Sequence, residues 1–293
     1  GVRLVGSEMC IRDRDKKYHF FNPRAGIHYT LADRHNFYAS FAVAQKEPTR
    51  SDFTDRYKFA ADDTYPSSEK LYDWELGYQY TAPRLSLGVN LYYMKYKDQL
   101  VPTGMVNDDS NALNTNVPDS YRRGVELSAS WRATGWFTVG ANATFSQNRI
   151  ENYVDALKDS PTYGKELGDM TIAYSPDVIA NAFLNFHHRG FEAVFHTQHV
   201  GKQYFTNNEN DALSLDAYCV TNLNLAYTFR TRSARSVRLG LLINNLFNAE
   251  YESNGYGYSY MDTWSGPAPV RIDEAYYFPQ APLNVLANVT VKF

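Results

Sequence analysis

Rings carry most of the chemical capacity that can be read from this chain. The segment "NGYGYSYMDTW" at Asn254 to Trp264 sets Tyr256, Tyr258 and Tyr260 two residues apart, with Trp264 and Arg271 following. Side chains two residues apart share one face of an extended strand. These rings could therefore stack on an aromatic or planar chelate while Arg271 pairs with an anionic one. Two plainer readings stay open: Tyr-rich loops pack on one another, and Tyr256 to Tyr260 could prolong a neighbouring strand. No catalytic constellation accompanies the rings. His187 and His188 fall at an expected tight turn, while His196 and His199 have opposite strand parity, so a shared metal would need a bulge and polar wall or turn roles suit them better. There is no glycine-rich phosphate loop or nucleophile elbow. Cys10 and Cys219 form neither a metal-site spacing nor a disulfide framework. A binding chain is expected, with no enzyme activity, resident metal or cofactor.

The elements that must position these groups are strands. Hydrophobic residues make up 44% of the 293, yet mean hydropathy is -0.49. No run approaches the roughly eighteen apolar residues of a membrane helix, so a helical membrane protein is excluded. Aromatics reach 15%, with 24 Tyr, which suits a membrane barrel with aromatic girdles. The net charge of -3 recommends no nucleic-acid partner. A secretory signal is not seen at the start, so either it was removed or the true N-terminus lies elsewhere.

Period-2 alternation predicts about eleven strands. The first, near Phe20 to Leu31, sets Ala25, Ile27, Tyr29 and Leu31 one way. Phe37 to Val43, Lys70 to Thr81 and Leu85 to Tyr93 follow with the same rhythm. Val125 to Trp131 and Phe137 to Phe145 flank a tight turn, and Val178 to His187 and Phe191 to Tyr204 meet at "HRG". Leu223 to Phe229, Val237 to Asn244 and Leu283 to Phe293 complete the set. Their other faces hold Glu75, Glu126, Asn142, Asn222, Asn244 and Asn284, groups suited to water or an interior domain.

Short connections near Ala32 to Arg34, Ala82 to Pro83, Ala133 to Gly135, His188 to Gly190 and Thr231 to Ser236 alternate with long polar ones. The long ones cover about Lys46 to Glu69, Gln99 to Pro118, Glu151 to Ala173, Thr206 to Ser214 and Asn248 to Ala275. Outer-membrane barrels have short periplasmic turns and long extracellular loops. Phe37, Tyr80, Trp131, Phe137 and Phe229 cluster near the short turns on the outward face, where a membrane girdle belongs. The expected fold is all-β, an antiparallel transmembrane β-barrel. Eleven is an odd count where bacterial single-chain barrels use even ones, and an open sheet in lipid would leave backbone groups unpaired. The chain is accordingly expected to be the C-terminal portion of a larger barrel, about eleven of twenty-two strands, with Phe293 at the periplasmic end and Gly1 at a break. Residues 1–17 fit no periodic template, and "SEMCIRDR" resembles translated sequencing-adapter read-through; they are read as a non-native leader, with residues 18–293 as barrel.

Three motifs carry a family resemblance. "FNPRAGIHYTLADRHNFYASFAVAQKEPTRSDF" at Phe21 to Phe53 looks like the mid-barrel hairpin of TonB-dependent outer-membrane receptors. "YRRGVELSASW" at Tyr121 to Trp131 is similar to an Arg-Gly-Val-Glu-Leu strand of that family, and "INNLFNAEYESNGY" at Ile243 to Tyr256 resembles its Asn-Leu-Phe-Asn C-terminal signature. The resemblance covers nearly everything after Lys17. It implies the outer membrane of a Gram-negative bacterium, a monomeric barrel in contact with outer-membrane lipid, and active uptake of a large scarce ligand. That ligand would be a ferric siderophore first, with cobalamin or heme as alternatives, and Arg271 would face an anionic ferric complex. TonB would act through an N-terminal plug and TonB box that this sequence lacks. A passive porin is the competing expectation, and an outer-membrane enzyme a third; a plug encoded upstream of Phe20 would exclude the porin.

Overall fold

The computed structural model describes residues 17–54, 65–107 and 111–293, so the leader expected over 1–17 lies, Lys17 apart, outside the described residues. In chain order the strands are β1 (Arg24–Leu31), β2 (His35–Lys46), β3 (Glu69–Thr81), β4 (Leu85–Val106), β5 (Ala112–Arg132), β6 (Phe137–Ile150), β7 (Met170–Thr171) and β8 (Val178–His188). They continue as β9 (Phe191–Val200), β10 (Gln203–Tyr204), β11 (Ser214–Leu215), β12 (Tyr218–Phe229), β13 (Ser236–Asn244), β14 (Glu252–Asp262), β15 (Val270–Pro279) and β16 (Asn284–Lys292). One antiparallel sheet runs β1-β2-β3-β4-β5-β6-β8-β9-β12-β13-β16, a meander in which β1 and β16 are the edges among the described residues. Its eleven wall strands are those the alternation predicts.

Register turns the alternation into two continuous surfaces. Ile27 lies opposite Ala39, Ala39 opposite Leu76, Leu76 opposite Leu91, Leu91 opposite Val125, and Val125 opposite Phe145. The other parity is polar: Asn90 Nδ2 donates to Glu126 Oε2 at 3.2 Å, Asn181 Nδ2 to Asn142 Oδ1 at 3.3 Å, and Asn244 Nδ2 to Asn284 Oδ1 at 2.9 Å. A one-residue slip would exchange the two surfaces in any strand, so the apolar row fixes the register.

The short turns are tight. Ala32 and Asp33 both adopt positive φ (52° and 56°), as do Arg189 and Gly190 (47° and 86°). Two-residue hairpin loops of this hand match the twist of the flanking strands. The long connections depart from expectation in two places. Gln99 to Pro118, read from sequence as a loop, is mostly ladder, because β4 runs on to Val106 and β5 starts at Ala112. Asn248 to Ala275 likewise contains β14 and most of β15, paired with each other as a separate hairpin. Polar composition hid both, since a strand outside lipid needs no apolar face yet still satisfies its backbone groups by pairing. The eighth predicted strand also stops early: β9 ends at Val200, with Gly201 and Lys202 separating it from β10.

Most of the buried apolar side chains lie in the long connections rather than in the wall. Val101 and Val117, from the protruding ends of β4 and β5, pack with Ile150, Tyr153 and Ile172, and Leu167 and Met170 close the cluster. A second cluster joins Phe205, Leu213 and Leu215, with Ala275 against it. Polar ties hold the loops together. Asn207, fully buried, accepts from Ala173 N at 2.7 Å and donates to Pro102 O at 2.6 Å. Glu209 accepts from the Thr171 backbone at 3.0 Å and pairs with Arg149. Desolvation of Glu209 is outweighed by its hydrogen bonds to Thr171 and by Arg149, which hold its carboxyl below the usual range.

Candidate ligand-binding face

The sequence "GYGYSY" places small and large side chains on opposite faces of β14. Gly255, Gly257 and Ser259 turn toward the Phe205 cluster: a Cβ on Gly255 would stand 2.7 Å from Phe205 Cζ, and one on Gly257 2.9 Å from Leu213 Cδ2. Glycine thus allows this hairpin to seat on the loop core. Tyr256, Tyr258 and Tyr260 take the other face. Register across the hairpin brings Tyr276 opposite Tyr256, Glu274 opposite Tyr258, and Phe278 opposite Asn254.

The result is a row of five rings. Tyr256 and Tyr276 stack with centroids 4.9 Å apart and planes 14° apart. Phe278 extends the row at 6.1 Å from Tyr256, while Tyr258 lies 6.4 Å from both Tyr276 and Tyr260. One carboxylate organises it: Glu274 accepts from Tyr258 Oη at 2.6 Å, Tyr276 Oη at 2.9 Å and Tyr260 Oη at 3.1 Å. Those phenols, Tyr258 first, hold the Glu274 carboxyl below its ordinary range. In return the carboxylate raises the phenol pKa values, so the rings are neutral donors at physiological pH. A lowered carboxyl binds its proton more readily once the hairpin opens, so its contribution to order is complete above the ordinary glutamate value and falls away as pH drops through the lowered one. Protection of the β14 and β15 amides, taken relative to their intrinsic exchange rate at each pH, should therefore fall as pH drops below the ordinary glutamate range. Glu274→Gln should exchange fast at neutral pH and lose that acid step; an unchanged step in the variant would assign it to another group.

The other two candidates from sequence fall elsewhere. Trp264 stands at the hairpin tip, 95% exposed, its backbone N–H donating to Asp262 Oδ1 at 2.9 Å. Arg271 is opposite Met261 and belongs to the seated face. Its Nε donates to Asp273 Oδ1 at 2.8 Å and a terminal nitrogen donates to Ser259 Oγ at 3.1 Å. The structure therefore separates Arg271 from the tyrosines, contrary to their grouping by sequence. Sequence reasoning also missed Glu274, Tyr276 and Phe278, although their own spacing of two was a usable signal.

Phe37, Tyr80, Trp131, Phe137 and Phe229 share the apolar parity near the short turns: Phe37 packs on Tyr78 at 4.9 Å, Phe137 on Phe186 at 4.4 Å, and Phe229 on Tyr227 at 5.9 Å. A second belt marks the opposite end of the same face, with Phe41, Trp74, Tyr93 and Tyr121 in succession at 5.2, 5.7 and 6.3 Å. His196 and His199 sit opposite Asn222 and Cys219, on alternate faces of the sheet. Among the described residues no three His, Cys, Asp or Glu side chains gather in a way that could hold a metal ion, and no helix is long and apolar enough to cross a membrane.

The family model described as TonB dependent receptor-like, beta-barrel, matches residues 3–246, most of this two-faced wall. This chain belongs to the TonB-dependent receptors. Solved structures agree on the fold. The ferric yersiniabactin uptake receptor of Yersinia pestis superposes with a TM-score of 0.63 at 20% identity, over 92% of this chain and 37% of that one. The copper transporter OprC gives 0.65 at 19%, over 91% and 38%. The siderophore receptor PiuA of Acinetobacter baumannii gives 0.64 at 15%, over 91% and 35%. The chain thus spans little more than a third of these receptors and forms part of such a barrel.

Proposed function

We propose that this chain is the later wall and loop portion of an outer-membrane receptor for active uptake of a large, scarce ligand, a ferric siderophore first among the candidates. The exposed ring row on β14 and β15 carries the reading: a planar or aryl-bearing chelate would stack on Tyr256, Tyr258, Tyr260, Tyr276 and Phe278. Trp264 at the tip would make first contact, and Arg271 would hold the seated face rather than touch ligand. Energy would arrive through TonB and the plug that the family carries. The two aromatic belts would sit at the two headgroup levels. From Trp131 to Tyr121 is ten residues, about 33 Å of strand, which a tilt of roughly 40° projects to about 25 Å, the height of a barrel's apolar band.

The test is growth of a receptor-deletion host with the full-length gene restored and iron supplied as defined siderophores, as heme, or cobalamin supplied separately. Rescue by cobalamin alone would refute the iron assignment. In the rescued strain, replacing Tyr256 and Tyr276 together by Ala removes the stacked pair and should raise the ligand Kd about tenfold, taking roughly 1.4 kcal/mol for the pair. Unchanged affinity in a variant that still reaches the membrane would remove the ring row from the binding site.

A further inference from the structure

Stacking would use the ring faces of β14 and β15 and leave their oxygens without a task. Those oxygens converge. Tyr258 Oη and Tyr276 Oη donate to the same carboxylate atom, Glu274 Oε2, at 2.6 and 2.9 Å, and the two hydroxyls lie within hydrogen-bonding reach of one another. Tyr260 Oη donates to the other atom, Oε1, at 3.1 Å. The ladder dictates this convergence: Tyr258 lies directly opposite Glu274, Tyr260 is its diagonal neighbour across the hairpin, and Tyr276 is two residues along β15 on the same face. Tyr260 and Tyr276 are exposed. On a face open to water, solvent would satisfy this carboxylate, so three phenols are more than its hydrogen bonding requires.

As a donor set, three phenols and a carboxylate supply oxygen alone, with no nitrogen or sulfur among them. Such ligands match a hard, highly charged cation rather than copper or zinc, and tyrosine oxygen is an established protein ligand of iron. The spacing fits as well. A cation that binds oxygen at about 2 Å in an octahedron holds adjacent donors about 2.8 Å apart, and the Tyr258, Tyr276 and Glu274 oxygens already stand at that separation. They form one triangular face of a coordination shell, with Tyr260 beside it.

We propose that Glu274, Tyr258 and Tyr276, assisted by Tyr260, coordinate ferric iron on this face, the remaining positions of the metal being held by oxygen donors of its carrier or by water. The proposal rests on the reading of the ring row as a ligand face and narrows it. Iron must arrive with positions to give up, so polycarboxylates and single catechols or hydroxamates suit the site better than a carrier that encloses the metal. On binding, each coordinating phenol releases its proton to solvent, the iron stays ferric, and the Glu274 carboxylate exchanges its hydrogen bonds for the cation.

The test adds ferric nitrilotriacetate to the full chain in a neutral detergent and reads visible absorption. A phenolate-to-iron charge-transfer band, absent from ferric nitrilotriacetate alone, should appear and saturate at a single iron per chain. Gallium should displace it and magnesium should not. Tyr258→Phe combined with Tyr276→Phe keeps both rings and removes both oxygens, so it should abolish the band and raise the Kd for iron at least about tenfold, the loss seen even for groups that only support a metal ligand. Tyr251→Phe, whose ring stacks on Tyr218 instead, should keep the band. No band in the unaltered chain, displacement by magnesium, or a full band in the double Phe variant would overturn the proposal, and the first two outcomes need no variant to fold. Coordination and uptake fail separately: growth rescue by a ferric siderophore without the band would refute the coordination site alone, whereas the band without rescue by any iron source would support the site and refute the uptake reading.

Discussion

Asn207→Ala should open the loop cap while leaving the wall intact. The side chain is fully buried and bridges two chain segments, accepting from Ala173 N and donating to Pro102 O. Truncation leaves both main-chain groups without their partner in a site that excludes water, at about 1–3 kcal/mol each, so a loss of about 2–6 kcal/mol in cap stability is expected. Asn207→Asp should be nearly as harmful, because a carboxylate cannot donate to Pro102 O and brings an unpaired charge into the same site. Asn207→Leu separates packing from polarity: it fills the volume, satisfies neither group, and should behave like Ala. The measurement is hydrogen exchange with limited proteolysis of the full chain. Protection should fall at 101–106, 171–175 and 205–215, with the wall strands unchanged. Uniform loss across the wall would show instead that the cap and barrel unfold as one unit, and protection equal to wild type would mean that Arg149 and Glu209 carry the connection.

The contrast between wall and cap also explains which features were legible in the sequence. The wall lies between lipid and water, so every strand repeats the same alternation, and a single parity error would place Glu75 or Glu126 in hydrocarbon. That constraint writes eleven strands and five short turns directly into the residue order. The cap obeys no such rule. Its clusters depend on which loops meet, and Val101 finding Ile172, or Phe205 finding Ala275, follows from long-range packing that has no local period. The hairpin of β14 and β15 shows the limit closely. Alternation in "GYGYSY" was readable and correctly grouped three tyrosines, but the register that adds Tyr276 and Glu274 and turns Arg271 away needs the partner strand. The second aromatic belt, at Phe41, Trp74, Tyr93 and Tyr121, went unread for a related reason: its members come from four strands and become neighbours only once the sheet is assembled.

Gly257→Val should unseat the ring row without altering one of its rings. A Cβ at this position would stand 2.9 Å from the Glu274 backbone oxygen and 2.9 Å from Leu213 Cδ2, with Phe205 Cδ2 at 3.0 Å. Leu213 could turn, but the carbonyl belongs to the paired strand and cannot retreat without breaking the ladder. Overpacking of this kind costs about 1–3 kcal/mol, comparable to the whole seating interaction of a short hairpin, so β14 and β15 should detach from the Phe205 cluster. Gly255→Val meets a harder wall, with Phe205 Cζ and the Tyr276 backbone oxygen both at 2.7 Å. Adding Phe205→Leu to Gly255→Val should recover only part of the loss, since the carbonyl stays where it was. Leu213→Ala approaches the same interface from the opposite side: it deletes a fully buried side chain and should cost about 2–5 kcal/mol by leaving a cavity. All three should accelerate exchange at 252–262, and if the ring row binds ligand they should weaken binding although every tyrosine is present. Should Gly257→Val bind normally while exchanging fast, the rings would work as a mobile flap, and the glycine face would serve stability alone.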